Sequence, residues 1–297
     1  MAFSGLVEAG FESVDGDASS QIFAAEAEVG LELTLDPSVG GTVLVKVEDG
    51  TMFAEEAFVH LALTEEWTIY AGLRLLPFGV FGSGLPSDPL TKELGETHAT
   101  MAACHCASGM GWGEAAVFNG AIGINEAPDD RAGGLLVAVG ATLLEGLDVT
   151  VAFLSNIGDT NRMAGELAVT DIAAAVPGAA LTVAYTRDPF RAEVEYIGAL
   201  RAFGVSELDF DADGDGDTPA TGHVEIMYKV REGLQAGVRY AVSTEALDLP
   251  AAQITAGVVW AMFEHTALAM DIAANTYNED LDTDDTTAVT IKLTGEF

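Results

Sequence analysis

Apolar and polar residues alternate with a period of two along most of the chain, and this pattern restricts the folds open to it. In the segment 287–297, Val289 and Ile291 share one face while Lys292 lies on the other. The segment 224–231 alternates in the same way. Because such alternation is typical of strands that are apolar on one face only, the chain is predicted to be all-β.

The composition requires that apolar and charged residues be kept apart. Hydrophobic residues make up 49% of the chain and the mean hydropathy is +0.29, yet 47 acids against 12 bases give a net charge of −35. A membrane barrel separates them into a lipid-facing exterior and a wet lumen. No stretch approaches the roughly 18 to 20 consecutive apolar residues of a spanning helix. The acidity argues against nucleic acid as a partner.

The alternating segments predict a transmembrane antiparallel up-and-down β-barrel of about sixteen strands. The predicted strands are 3–13, 21–35, 41–49, 52–63, 66–76, 97–106, 111–121, 132–143, 147–156, 179–187, 190–200, 222–231, 234–244, 252–263, 266–276 and 286–297. Most links after even-numbered strands are short, whereas long external loops near 77–96, 156–178 and 201–221 follow odd-numbered strands. Because outer-membrane barrels have short turns at one rim and long loops at the other, residues 1–297 are predicted to form one such barrel.

The ends of the sequence lead to expectations about location and partners. Phe297 closes the last alternating segment on its apolar face, which predicts recognition by the barrel-assembly machinery; a chance aromatic terminus is the alternative. The first basic residue is Lys46, so no signal peptide is visible and a mature sequence is expected. The expected location is the bacterial outer membrane, with outer-membrane lipids around the barrel and either a homotrimer or a monomer as the assembly.

If the apolar faces of the strands meet lipid, their opposite faces line the lumen. The lumen-lining residues expected from this register are Glu26, Glu28, Glu56, Arg74, Arg191, Glu193, Glu195, Glu225, Lys229, Arg239, Asp271 and Lys292. The excess of acids predicts a preference for cations, as in pores with rings of acidic side chains. The alternative is a solvated polar face without a selective role.

The loop 77–96 reads PFGVFGSGLPSDPLTKELGE and contains more apolar residues than a surface loop needs. It is therefore predicted to fold into the barrel and narrow the channel, with a cap on the rim as the alternative. The expected constriction residues are Phe78, Phe81, Asp88, Lys92, Glu93 and Glu96.

The region around this loop carries a family resemblance. It contains FVHLALTEEWTIYAGLRLLPFGVF, then SDPLTKELGETHAT, then AAVFNG. This block, about a fifth of the chain, resembles the siderophore porins of the LbtU type, in which AG…PFG.F is followed by DPLT.ELGET and VFNG. The resemblance implies an outer-membrane barrel and suggests uptake of iron chelates. The sequence departs from the family pattern at Cys104, His105 and Cys106.

Two other motifs could bind metal. The run DFDADGDGD at 209–217 places Asp211, Asp213, Asp215 and Asp217 like the first half of an EF-hand loop, which makes Ca²⁺ a possible ligand. Gly222 stands where the closing Glu is needed, and a solvated acidic loop is the alternative. The Cys-His-Cys segment lacks a second pair of ligands and is interpreted as packing residues.

Several functions are compatible with these predictions. The first is a passive diffusion channel for small hydrophilic solutes or ions that favours cations. The second is a specific porin for siderophores, with an anion site near Arg74, Arg191, Lys229 and Arg239. The others are a plugged structural surface barrel and a secreted acidic β-protein. No GxSxG motif accompanies the scattered histidines, so the chain is not expected to be an enzyme.

Overall fold

Neighbouring strands pair antiparallel in sequence order until the ring closes, as a computed structural model of the chain reveals. It describes residues 2–15, 20–23, 26–48, 50–125, 132–167, 169, 171–210, 213–246, 248–278 and 284–296. The strands are β1 Ala2–Asp15, β2 Ser20–Phe23, β3 Ala27–Asp36, β4 Val39–Glu48, β5 Thr51–Ala62, β6 Trp67–Leu75, β7 His98–Ser108, β8 Gly111–Asn119, β9 Gly123–Ile124, β10 Ala132–Leu144, β11 Leu147–Leu154, β12 Asp171–Ile172, β13 Gly178–Arg187, β14 Phe190–Ala199, β15 Ala220–Arg231, β16 Leu234–Thr244, β17 Ala252–Phe263, β18 Thr266–Thr276 and β19 Thr286–Glu296.

The ring closes where the first strand meets the last. Leu6 of β1 pairs with Glu296 of β19, and the other edge of β1 pairs with β2 and β3, which together take one place in the ring. The result is a closed sixteen-strand antiparallel barrel, so the predicted fold class is confirmed. The short strands β9 and β12 stand apart from this ring as a parallel pair.

The barrel wall is apolar on its outer surface and carries charged side chains on part of its inner surface. On its outer surface Val59, Val139 and Ile254 keep 58%, 52% and 60% of their surface exposed. On its inner surface Glu195 and Arg239 are buried. This is the reverse of a soluble protein, and it is the arrangement that a lipid-facing exterior requires.

In the parts of the chain that the structure describes, helices occur only in the loops. They are α1 (Leu90–Gly95), the 3₁₀ turn Ile157–Asp159 and α2 (Asn161–Glu166), which Thr160 caps by accepting from the Met163 N–H. Among the described residues, none of these helices has the length and apolar character needed to cross a membrane.

A hydrophobic core fills part of the barrel interior. Loop residues such as Phe78, Leu94 and Met163 are fully buried there, together with small wall residues such as Ala116 and Ala138. Because an alanine side chain projects little from the wall, the Ala-rich inner faces of β7, β8, β10 and β11 leave room for these loops. The apolar residues of the loop 77–96 therefore belong to a packed core inside a membrane barrel.

Candidate functional site

The loop 77–96 crosses the lumen and is held to the far wall by buried carboxylates. The N–H groups of Val80 and Phe81 donate to Glu195 Oε1 at 2.6 and 3.2 Å. The Gly84 N–H and the Ser83 hydroxyl donate to the two carboxylate oxygens of Glu225 at 2.7 and 2.8 Å. Bonds from neutral donors to an ionised acceptor are the stronger kind, so each carboxylate fixes a stretch of loop backbone.

Arg239 and Asp271 hold the next part of the loop. The guanidinium of Arg239 donates to the Ser83 and Ser87 hydroxyls and to the carbonyls of Ser87 and Asp88, at 2.9–3.0 Å. The Ser87 N–H and hydroxyl donate to Asp271 Oδ2. We call Glu195, Glu225, Arg239 and Asp271 the wall latch; all four are buried.

The short helix α1 completes the attachment. The buried Thr91 hydroxyl donates to Glu195 Oε2 at 2.6 Å and lies 3.1 Å from His223 Nδ1. Leu90 packs against Ala241 and Leu249. The loop is therefore bound to the far wall by polar and apolar contacts together.

The other side of α1 borders an open cavity of about 430 Å³ with a charged lining, which we call the passage. It runs between the helices α1 and α2 and the wall near β4, and its lining carries six acids and three bases. The acids are Glu26, Glu48, Asp88, Glu93, Glu96 and Glu166, and the bases are Lys46, Lys92 and Arg162. An excess of acids therefore lines the open part of the lumen.

Each base of the passage has acidic neighbours. Lys46 Nζ lies 2.5 Å from Glu26, 3.7 Å from Glu48 and 3.8 Å from Glu55. Lys92 lies 3.0 Å from Asp88, and Arg162 pairs with Glu93 and Asp248. Burial would lower the pKa of Lys92, but Asp88 and Glu96 outweigh it and hold that pKa above its ordinary value. With six acids against three bases, the formal charge of the lining is negative.

The structure brings together only some of the predicted residues. Of the predicted constriction residues, Asp88, Lys92, Glu93 and Glu96 line the passage, whereas Phe78 is fully buried in the core and Phe81 packs against it. Glu26 lines the passage too, and Glu28 stands opposite Lys46 in the β3–β4 register. The wall latch accounts for four predicted lumen residues, all of them covered by the loop.

The remaining predicted residues lie elsewhere on the inner wall. Arg74 is 2.9 Å from Glu114, Arg191 is 2.9 Å from Glu193, and Lys292 is 3.6 Å from Glu8. Glu56 accepts from the Leu75 N–H, and Lys229 pairs with Asp188 and Glu232 beside the short turns. These residues do not form one shared site.

Sequence reasoning missed several residues of the inner wall. Glu55 reaches Lys46 because a β-bulge puts Leu44 opposite Glu56 but Val45 opposite Ala54, so that alternation breaks at this point. Glu114 stands on β8 between glycine and alanines, where nothing in the sequence marks an acid as inward-facing. Arg162 enters the passage from a long loop, and period-two reasoning assigns no face to a loop residue.

The proposed Ca²⁺ loop does not assemble into a metal site among the described residues. Asp217 Oδ2 accepts from the Phe210 N–H, Asp213 Oδ1 accepts from the Asp215 N–H, and Asp211 lies outside the described residues, as Phe297 does. In the described ranges no group of three or more His, Cys, Asp or Glu side chains is placed to hold a metal ion. In the Cys-His-Cys segment, His105 stacks on Trp112 and contacts Glu114.

Comparison with known proteins places the architecture. The chain is similar to OmpF of Salmonella typhi in complex with daunomycin, with a TM-score of 0.72 and 13% identity, covering 100% of this chain and 97% of that one. The outer membrane channel DcaP of Acinetobacter baumannii matches with a TM-score of 0.69 and 12% identity, over 100% of this chain and 96% of that one. The fold is that of the outer-membrane porins. An anion-selective porin from Comamonas acidovorans matches with a TM-score of 0.68 and 13% identity, over 100% of this chain and 99% of that one.

These porins share the barrel with this chain but little of its sequence. No family model matches the sequence, and no curated protein matches it either. One of these neighbours is an anion-selective porin, and a shared fold does not by itself fix which ions pass.

Proposed function

We propose that the chain is a passive diffusion channel of the bacterial outer membrane for small hydrophilic solutes and ions, with a preference for cations. The observation that carries the proposal is the open, charged cavity beside α1, next to loop residues such as Phe78 and Leu94 that are packed in the hydrophobic core. A solute that enters this cavity meets charged side chains from the helices α1 and α2 on one side and from the barrel wall on the other.

The preference for cations follows from the charge of this passage. With six acids and three bases, its lining is net negative. Charged walls in a narrow, low-dielectric surrounding concentrate ions of opposite sign, as acidic rings do in cation channels.

The test is the reversal potential of single channels in a planar bilayer under a KCl gradient. We expect cation preference in the parent protein. In the triple variant Glu48→Gln, Glu93→Gln, Glu96→Gln the lining has three acids and three bases, so the potential should move close to zero. The matched control is Glu264→Gln, because Glu264 is exposed in the β17–β18 turn.

The outcomes separate the competing functions. An anion preference in the parent protein would contradict the assignment of the passage. A barrel that inserts into the bilayer but never conducts would favour the plugged structural barrel instead.

Iron-chelate uptake rests on the resemblance of the loop region alone. Each base predicted to hold an anionic chelate has an acidic partner: Glu114 for Arg74, Glu193 for Arg191, Glu232 for Lys229 and Glu225 for Arg239. A chelate would have to displace these acids, so we prefer the diffusion channel. A homotrimer and recognition through Phe297 remain predictions, as does the absence of enzyme activity.

A further inference from the structure

Aromatic rings form a continuous row on the inner wall of β5, β6, β7 and β8. The ring centroids of His60 and Tyr70 are 6.2 Å apart, those of Tyr70 and His105 are 6.3 Å apart, and those of His105 and Trp112 are 5.8 Å apart. Phe58 adds an edge contact to Tyr70 at 5.8 Å. We call Phe58, His60, Tyr70, His105 and Trp112 the aromatic wall. All five are partly exposed.

Glycines keep both ends of the aromatic wall close to the barrel backbone. A Cβ on Gly140 would fall 2.3 Å from Trp112 Nε1, and one on Gly40 would fall 2.5 Å from the His60 ring. Both rings therefore lie directly over a glycine of the neighbouring strand. Rings seated this way take little room from the lumen.

Arg74 and Glu114, the charged groups in contact with these rings, are paired with each other. Arg74 lies over the Tyr70 ring at 4.4 Å and pairs with Glu114 at 2.9 Å. Glu114 also contacts His105 Nδ1 at 3.2 Å. The guanidinium and the carboxylate balance each other, in contrast with the acidic passage.

The position of the aromatic wall suggests a path for solutes. It begins at Phe58, which pairs with Gly72 of β6 three residues before that strand ends at Leu75, and it ends at Trp112, which follows the short β7–β8 turn. It therefore extends from the level of the loop to the short-turn rim.

We propose that the aromatic wall binds neutral ring-shaped solutes, with saccharides as the class, as they pass through the barrel. This proposal rests on the proposed channel function and names one class of its solutes. The apolar C–H face of a pyranose ring stacks on aromatic rings, while its hydroxyls meet the Arg74 guanidinium, the Glu114 carboxylate and the histidine nitrogens. Organic cations fit less well because Arg74 already occupies the Tyr70 face.

The experiment is calorimetric titration of the detergent-solubilised barrel with maltotriose, sorbitol and choline as separate probes. We expect maltotriose to bind, whereas sorbitol, which has hydroxyls but no ring, should not. In Trp112→Ala the Kd for maltotriose should rise about ten-fold, with Trp112→Phe close to the parent, given the energies of aromatic contacts. The matched control is Trp67→Ala, since Trp67 is exposed on the outer face of β6.

Each remaining outcome decides the matter. An unchanged Kd in Trp112→Ala, an equal loss in Trp67→Ala, or binding of choline in place of maltotriose would overturn the proposal. If Trp112→Ala does not fold, His60→Ala tests the other end of the wall. Calorimetry needs no ion flow, so a barrel that binds maltotriose but does not conduct would contradict only the proposed channel function. A barrel that conducts but does not bind maltotriose would contradict only the proposed saccharide site.

Discussion

Two parts of the inner wall carry the same kind of side chain but differ in what covers them. On the covered wall, formed by β13 to β18 beneath the loop 77–96, Glu193, Glu195 and Glu225 are each at most 2% exposed. On the open wall, formed by Glu26, Lys46, Glu48 and Glu55, the carboxylates border the passage or pair with its lysine. The same residue type therefore serves two purposes in one barrel.

The difference shows what a lumenal carboxylate does in each setting. Under the loop, each carboxylate of the wall latch has donors from the loop and no room for a solute. A buried charge that loses its partners is costly, so these acids stabilise the position of the loop. On the open wall the side chains of Glu26 and Glu48 remain 28% and 48% exposed, so under the proposed function they would face ions in transit.

The largest expected effect comes from Arg239→Ala on the covered wall. It removes four hydrogen bonds to the loop and leaves Glu225, 3.6 Å away, without its counter-charge. Breaking such a buried pair costs about 3–5 kcal/mol, enough to release the loop from the wall. We expect higher single-channel conductance and rapid proteolysis within residues 77–96.

The control for this change is Arg231→Ala, at the exposed end of the adjacent strand β15, which should leave both measurements unaltered. If Arg239→Ala keeps the parent conductance and the parent resistance to protease, the loop does not depend on the wall latch. The contrast between the two walls would then lose its physical basis.

A smaller effect is expected for Glu195→Gln. Glu195 accepts from the Val80 and Phe81 N–H groups and from the hydroxyls of Thr91 and Thr182. A glutamine amide keeps one acceptor oxygen but cannot accept from Thr91 through nitrogen, at a cost of about 1–3 kcal/mol. Hydrogen exchange of the Val80 and Phe81 amides should accelerate.

The exposed turn residue Glu232 supplies the matched control, since Glu232→Gln should not change exchange in the loop. Unchanged protection of Val80 and Phe81 in Glu195→Gln would mean that apolar packing alone holds the loop.

The sequence was sufficient to predict the strands, but not the contacts that the inner wall makes with the loop 77–96. The strands β16, β17 and β18 have the predicted bounds because period two and the turn residues between them are local signals. The hydrogen bonds between the wall latch and the loop join residues more than a hundred positions apart in sequence, such as Val80 and Glu195. Alternation places Glu195 on the inner face but does not indicate that a loop will cover it. A single bulge likewise moves Glu55 into reach of Lys46.

The smallest effect on stability is expected on the open wall, for Lys46→Gln. Lys46 lies near Glu26, Glu48 and Glu55, and the first two border the passage and keep 28% and 48% of their side chains exposed. Because solvent can stabilise these two carboxylates when Lys46 is lost, the cost should be smaller than that of breaking a fully buried pair, which is about 3–5 kcal/mol. Thermal unfolding should therefore stay close to the parent, while the reversal potential should move further toward cations because a positive charge leaves the lining. Lys229→Gln, at the short-turn rim beside Asp188 and Glu232, removes the same charge away from the passage and should leave the potential unchanged. A large loss of stability without a change in selectivity would show that Lys46 acts as the covered-wall residues do, and that the two walls do not differ in kind.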